Sequence, residues 1–198
     1  MSATLRPSLG KPAPLLISAV WVGSNPSGAW ASEKFDGVRG YWDGSAMWSR
    51  EGKQFSPPAW WLARLPQGVA LDGELWLGHG RYGEVMGQVK RVTPQDEVWA
   101  QMRFCVFDAP HAPGTFEQRQ GYVANVLLGR FDYSPAFHVE QRRCKGRADM
   151  RKMLREVHAV GGEGIMLRAA GSAYEVGPTP SRTLLKVRCE NNSELLRD

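Results

Sequence analysis

The stretch Glu33-Lys34-Phe35-Asp36-Gly37-Val38-Arg39 decides how this chain is read. It sets an amine, a turn built on an acid and a glycine, and a guanidinium in close succession. Covalent capture of a nucleotide needs such groups: a nucleophile, something to hold it, and a cation for phosphate. An ammonium is not a nucleophile, so the reading also demands cationic or desolvating neighbours that let Lys34 give up its proton. Asp36-Gly37 predicts a tight turn between an extended segment ending at Lys34 and a strand over 38–42. The amine then stands at a strand edge beside a loop, where backbone can approach a ligand closely.

Working outward, residues 15–22 predict a short buried strand, and Ser24-Asn25-Pro26-Ser27-Gly28 a turn. Asp43-Gly44 closes a hairpin onto Ala46-Met47-Trp48, so two hairpins in series indicate antiparallel β structure. Pro57-Pro58 followed by Trp60, Trp61, Leu62 and Leu65 predicts a short helix within 55–65. In the strand over 69–77, Asp72 and Glu74 interrupt an apolar run, which is costly unless they meet water, a metal or a donor. Gly78-His79-Gly80-Arg81-Tyr82-Gly83 matches GxGxxG, but without a βαβ unit it reads as a loop.

Residues 104–107 form a compact strand ending in Asp108. Thr115 and Gln118 make a capping box opening a helix through Leu128, and Met150, Met153, Leu154 and Val157 mark a second helix stopped by Gly161-Gly162. Strands over 164–168 and 183–188 come last. The whole predicts an α+β fold of antiparallel β-sheets flanked by helices, with the site in the groove between them.

At 198 residues and 42% hydrophobic content, the chain can bury a core without staples. Its net charge of +5 suits a polyanionic partner. Cys105, Cys144 and Cys189 show no CxxC spacing and the four histidines lie singly, which suggests neither disulfides nor zinc and favours a reduced compartment. The apolar run 15–22 is bracketed too tightly by Pro14 and Ser24 to serve as a leader, and no stretch approaches the ~20 apolar residues of a membrane span. A cytoplasmic protein is expected, or a periplasmic one if a leader has been removed. The basic cluster Arg142, Arg143, Lys145, Arg147, Arg151, Lys152 and Arg155 reads equally as a phosphate-tracking surface or as solvated charge.

Each motif is weak alone, but their order is informative. Lys34-Phe35-Asp36-Gly37-Val38-Arg39, Ser49-Arg50-Glu51-Gly52, Leu71-Asp72-Gly73-Glu74, Phe104 to Asp108, Gly162-Glu163-Gly164-Ile165-Met166 and Leu184-Leu185-Lys186-Val187-Arg188 follow one another. This series resembles the covalent nucleotidyltransferases: DNA ligases, RNA ligases and mRNA capping enzymes. More narrowly, Ser32 to Trp42 with Leu71 to Leu77 resembles the adenylation domain of minimal bacterial ATP-dependent DNA ligases of the E type.

The resemblance implies that Lys34 attacks ATP and holds AMP, that AMP passes to the 5′-phosphate of nicked double-stranded DNA, and that the 3′-hydroxyl seals the nick. It implies Lys186 at the α-phosphate, Arg39 at ribose and nick, Arg50 and Arg188 at phosphates, and Ser32 and Glu33 beside the nucleotide. Glu74 would take the ribose hydroxyls, Glu163 with Glu74 the Mg²⁺, and Phe107 and Met166 the two faces of adenine; Asp36 and Gly37 set the turn. Arg188 stands where the family usually has a second lysine, which alters reach and hydrogen-bond geometry. The expected organisation is a flexible arm over 1–14, the adenylation domain over 15–188, and a tail over 189–198 in place of an OB-fold domain. A monomer that seals nicks inefficiently is expected. An RNA ligase, a capping-type enzyme that transfers GMP, and a non-catalytic nucleotide- or DNA-binding module remain the alternatives.

Overall fold

A computed structural model describes residues 11–128 and 134–197. In chain order the elements are β1 (Ser18–Val20), β2 (Trp30–Lys34), β3 (Val38–Trp42), β4 (Met47–Ser49), α1 (Ala59–Leu62), β5 (Leu71–Trp76), α2 (Tyr82–Val89), α3 (Asp96–Trp99), β6 (Arg103–Asp108), α4 (Phe116–Leu127), β7 (Ala136–His138), β8 (Arg142–Arg143), α5 (Arg147–Ala159), β9 (Gly164–Arg168), β10 (Ser181–Arg188) and α6 (Ser193–Leu196). They build two five-stranded sheets. One runs β1-β10-β9-β2-β8 and the other β4-β3-β5-β6-β7.

The central expectation about Lys34 is corrected in one respect. The Asp36-Gly37 turn does not close a hairpin, because β2 pairs with β9 while β3 pairs with β4 and β5. The chain changes sheets there, and only the Asp43-Gly44 turn joins paired neighbours. Tight turns serve both purposes, and the pairing partner that distinguishes them lies far away in sequence. The sheets are also not wholly antiparallel, since β1 pairs parallel to β10 and β7 parallel to β6.

Each sheet buries its outer face under helices. The first core joins Trp42, Leu71, Leu75 and Phe104 to Trp61 of α1, Val85 of α2, Trp99 of α3 and Val123 of α4. Trp61 meets Trp99 edge-on at 5.0 Å and donates to the Met102 carbonyl at 3.2 Å. Fully burying such a side chain contributes about 1.5–3 kcal/mol. The second core sets Ala31, Ile165, Leu167 and Val187 against Met150, Met153 and Leu154 of α5. Thr115 and Gln118 form the predicted capping box at α4.

Several predicted bounds differ. The strand expected over 15–22 is only Ser18–Val20, and the helix expected within 55–65 only Ala59–Leu62. Residues 1–10 of the expected arm lie outside the described residues, but Ala13 is buried and donates to the Arg50 carbonyl at 2.9 Å. It packs with Leu15, Tyr41, Trp48 and Ala70.

Gly37, at the change of sheets, leaves no room for a side chain. A Cβ there would fall on the Leu75 carbonyl and within 2.9 Å of Glu74 Cγ, both on β5 at the middle of its sheet. Gly37→Ala is expected to cost about 1–3 kcal/mol, seen as a lower urea midpoint. Gly87→Ala, in α2 with open space around it, is expected to raise that midpoint slightly.

Candidate active site

Side chains alternate across a strand, so register alone assembles the inner wall of the groove. On the first sheet Ser32, Met166 and Lys186 lie opposite one another, with Lys34, Gly164 and Arg188 in one flanking row and Trp30, Arg168 and Leu184 in the other. The intervening residues Ala31, Ile165, Leu167 and Val187 face the α5 core. On the second sheet Arg39 lies opposite Glu74, and an irregularity between Asp72 and Gly73 sets Asp72 opposite Asp108. The walls enclose a cleft of about 250 Å³.

Ser32, Glu33, Lys34, Arg39, Arg50, Glu74, Phe107, Met166, Lys186 and Arg188 all line this cleft, so residues scattered over most of the sequence meet in one place. Glu163 joins them through an ion pair with Lys34, and its other oxygen lies 2.9 Å from Arg188 Nε. One carboxylate thus serves two cations. Lys186, by contrast, has no acidic partner within ion-pair distance among the described residues. Arg50 sits at the rim beside Glu51. Asp36 and Gly37 form the turn and do not line the cleft.

The Phe107 ring is not free on all sides, since Arg39 Cζ stands 5.5 Å from its centroid. Glu33 is held by His79 at 2.7 Å, which gives residues 78–81 a use that the GxGxxG pattern did not indicate; the loop expected over 78–83 is shorter, because Tyr82 and Gly83 already belong to α2. Removal from water pushes the Glu74 carboxyl up to about 8, against the pull of Arg39 and Lys34.

That shift carries a sign. A carboxyl whose folded pKa lies above its unfolded value of ~4.3 gives stability that is present below that value and lost as pH rises through the folded pKa. In divalent-free buffer the melting temperature is expected to fall between pH 5 and pH 9, with a shallower fall in Glu74→Gln. Equal slopes in the two proteins would count against a raised pKa at Glu74.

Sequence reasoning missed the acids that hold the cations. Asp72 takes Arg39 Nε at 2.9 Å and Nη2 at 2.6 Å, and Tyr174 donates to Asp72 at 2.6 Å. Behind them, fully buried Arg119 makes two bonds to Asp108, at 2.6 and 3.1 Å, while Arg168 approaches the same carboxylate at 3.8 Å. Burial pushes the Arg168 guanidinium below its ordinary pKa, with Asp108 opposing. Asp72 carried a signal, an acid interrupting an apolar strand; Tyr174 in its connection carried none.

The basic cluster stitches the outside of the molecule together instead of lining the cleft. Arg142 pairs with Glu156, Arg143 lies over Trp30, Arg147 over Trp21, and Arg151 donates to the Leu195 and Arg197 carbonyls. Cys105, Cys144 and Cys189 are free and buried. Among the described residues no helix is long and apolar enough to cross a membrane, and no group of three or more His, Cys, Asp or Glu side chains is arranged to hold a metal ion.

No protein-family model matches the chain. A DNA ligase of Haemophilus influenzae is 31% identical over 173 residues, covering 86% of this chain; the chain spans 62% of that relative's length. Among solved structures, a Lig E DNA ligase studied for DNA binding with a minimal scaffold superposes with a TM-score of 0.78 at 29% identity, covering 89% of this chain and 68% of its own. Chlorella virus DNA ligase-adenylate superposes with a TM-score of 0.74 over 91% of this chain and 69% of its own; at 18% identity it speaks to fold alone.

Proposed function

We propose that this chain is an adenylation (nucleotidyltransferase) domain of the DNA ligase type, in which Lys34 takes AMP from ATP and passes it to nicked double-stranded DNA; the 31% identical DNA ligase and the Lig E superposition support the reading. The observation that carries the reading is the placement of Lys34. It stands on the cleft wall, ion-paired to Glu163, in the row next to Lys186, which among the described residues has no acidic partner.

The amine gives its proton to solvent, leaves Glu163 and attacks the α-phosphorus of ATP. The N–P bond forms as the bond to the β-phosphate breaks, and pyrophosphate departs. Lys186 and Arg188 supply charge where negative charge develops, in a walled cleft where it acts more strongly than in water. An oxygen of the 5′-phosphate then attacks the same phosphorus, the N–P bond breaks and Lys34 regains a proton. The 3′-hydroxyl attacks the activated 5′-phosphorus and AMP leaves.

Glu33 and Ser32 border the nucleotide, Met166 and Phe107 flank its base, and Glu74 and Arg39 face its ribose. Glu163 and Glu74 lie close enough to influence each other electrostatically. Mg²⁺ is commonly held by one or two carboxylates with substrate phosphates and water, so the pair fits an ion arriving with ATP. Bound there, it would neutralise charge on the phosphates. The working unit is a monomer.

Incubation with ATP and Mg²⁺ followed by intact-mass measurement tests the proposal. An AMP adduct that disappears on addition of nicked DNA is the expected result. An adduct formed from GTP in preference to ATP would point to a capping-type enzyme, and no adduct from either would overturn the enzyme reading.

A further inference from the structure

The Tyr174 hydroxyl closes a ring of hydrogen bonds spanning both walls of the cleft. It donates to Asp72 Oδ2 at 2.6 Å and accepts from the Leu16 backbone N–H at 3.1 Å. Asp72 grips Arg39 through Nε and Nη2, and Arg39 Nη1 returns to the Leu16 carbonyl at 2.7 Å. Three of the five guanidinium N–H groups are thus committed, leaving one on each terminal nitrogen for a ligand. Tyr174 comes from the connection between β9 and β10 of the first sheet, whereas Asp72 and Arg39 belong to the second.

That connection is anchored well enough to act as a brace. The Ala173 carbonyl accepts from Arg168 Nη2 at 2.7 Å, the Ser172 carbonyl from Arg119 Nη1 at 3.1 Å, and the Gly171 N–H donates to Glu117 at 3.0 Å. Arg119 Cζ also lies 5.7 Å from the Tyr174 ring, limiting its rotation. Asp72 is 1% exposed, and a buried carboxylate that loses a donor reorients or gives up its charge. The hydroxyl therefore controls whether Asp72 keeps its two-pronged hold on Arg39.

We propose that Tyr174 is a positioning residue: acting through Asp72, its hydroxyl holds the Arg39 fork against the cleft wall so that the free N–H groups meet the ribose-phosphate of the nucleotide. The assignment rests on the nucleotidyl-transfer reading for its effect on rate, but the locking of Arg39 belongs to the unliganded protein and is measured separately. Tyr174→Phe removes one oxygen and keeps the ring.

Two readouts test it. In the absence of nucleotide, phenylglyoxal labelling of Arg39, followed by peptide mass mapping, is expected to run several-fold faster in Tyr174→Phe than in the parent protein. With ATP and Mg²⁺, Tyr174→Phe is expected to slow formation of the AMP adduct about tenfold, yet to cause no further loss in an Arg39→Ala background. This non-additivity is the signature of action through Arg39. Unchanged Arg39 labelling, or equal loss in both backgrounds, would overturn the proposal. If Tyr174→Phe melts more than a few degrees early, Asp72→Asn in the same cycle asks the same question, with the same two results deciding it. Absence of any adduct in the parent protein would sink the nucleotidyl-transfer reading, and the labelling arm alone would then decide the role of Tyr174.

Discussion

Lys34→Ala is expected to lower formation of the AMP adduct by on the order of 10⁴-fold or more, to below detection by intact mass, because among the described residues no other amine pairs with Glu163 in the cleft. The loss would not come from unfolding. Lys34 and Glu163 are each about one-fifth exposed, and Glu163 retains Arg188, so the stability cost is about 1 kcal/mol or less. Lys34→Arg sharpens the test: it keeps the charge opposite Glu163, but a guanidinium does not deprotonate at working pH and cannot attack phosphorus. An adduct surviving in either variant would place the nucleophile elsewhere. Matching circular dichroism spectra and urea midpoints would secure the comparison.

The second large effect is on stability, at Asp108. This buried carboxylate takes two bonds from Arg119 and one from the Ala109 N–H at 2.8 Å, and it lies near Arg168. Asp108→Ala leaves two buried guanidiniums without an anion, and removing one partner of a buried pair costs about 3–5 kcal/mol. Urea unfolding should show a midpoint lowered accordingly, with Asp108→Asn less affected because its amide oxygen still accepts. Glu84→Ala, which breaks the exposed pair with Arg81, should leave the midpoint unchanged. A similar shift in the two alanine variants would contradict the assigned importance of burial.

Strands over 30–34, 38–42 and 164–168 were legible because turn residues bound them and their side chains alternate between core and groove. Their partners were not. Asp36-Gly37 has the local chemistry of a hairpin, and only the pairing of β2 with β9 reveals a change of sheet. The short edges β7 and β8 and the helices α2 and α3 escaped notice because each is fixed by its neighbours more than by its own pattern.

At the site, the cations and acids of the ordered motifs were readable and the structure brings them to one cleft. Less readable were the residues that hold them. His79 sat in a loop that resembled something else, Arg168 looked like a strand end, and Tyr174 had no periodicity to mark it. Such groups act through long-range buried hydrogen bonds, for which a single sequence offers no local signature.

The change of sheet beside Lys34 has a mechanical meaning as well. The chain passes from the first sheet to the second at residues 35–37 and returns at 139–141, and Phe35 and Gln141 both border the cleft. If the two sheets swing apart, these crossings lie nearest the axis of rotation, and points near an axis travel least. A nucleotide carried on Lys34 would then ride close to the pivot.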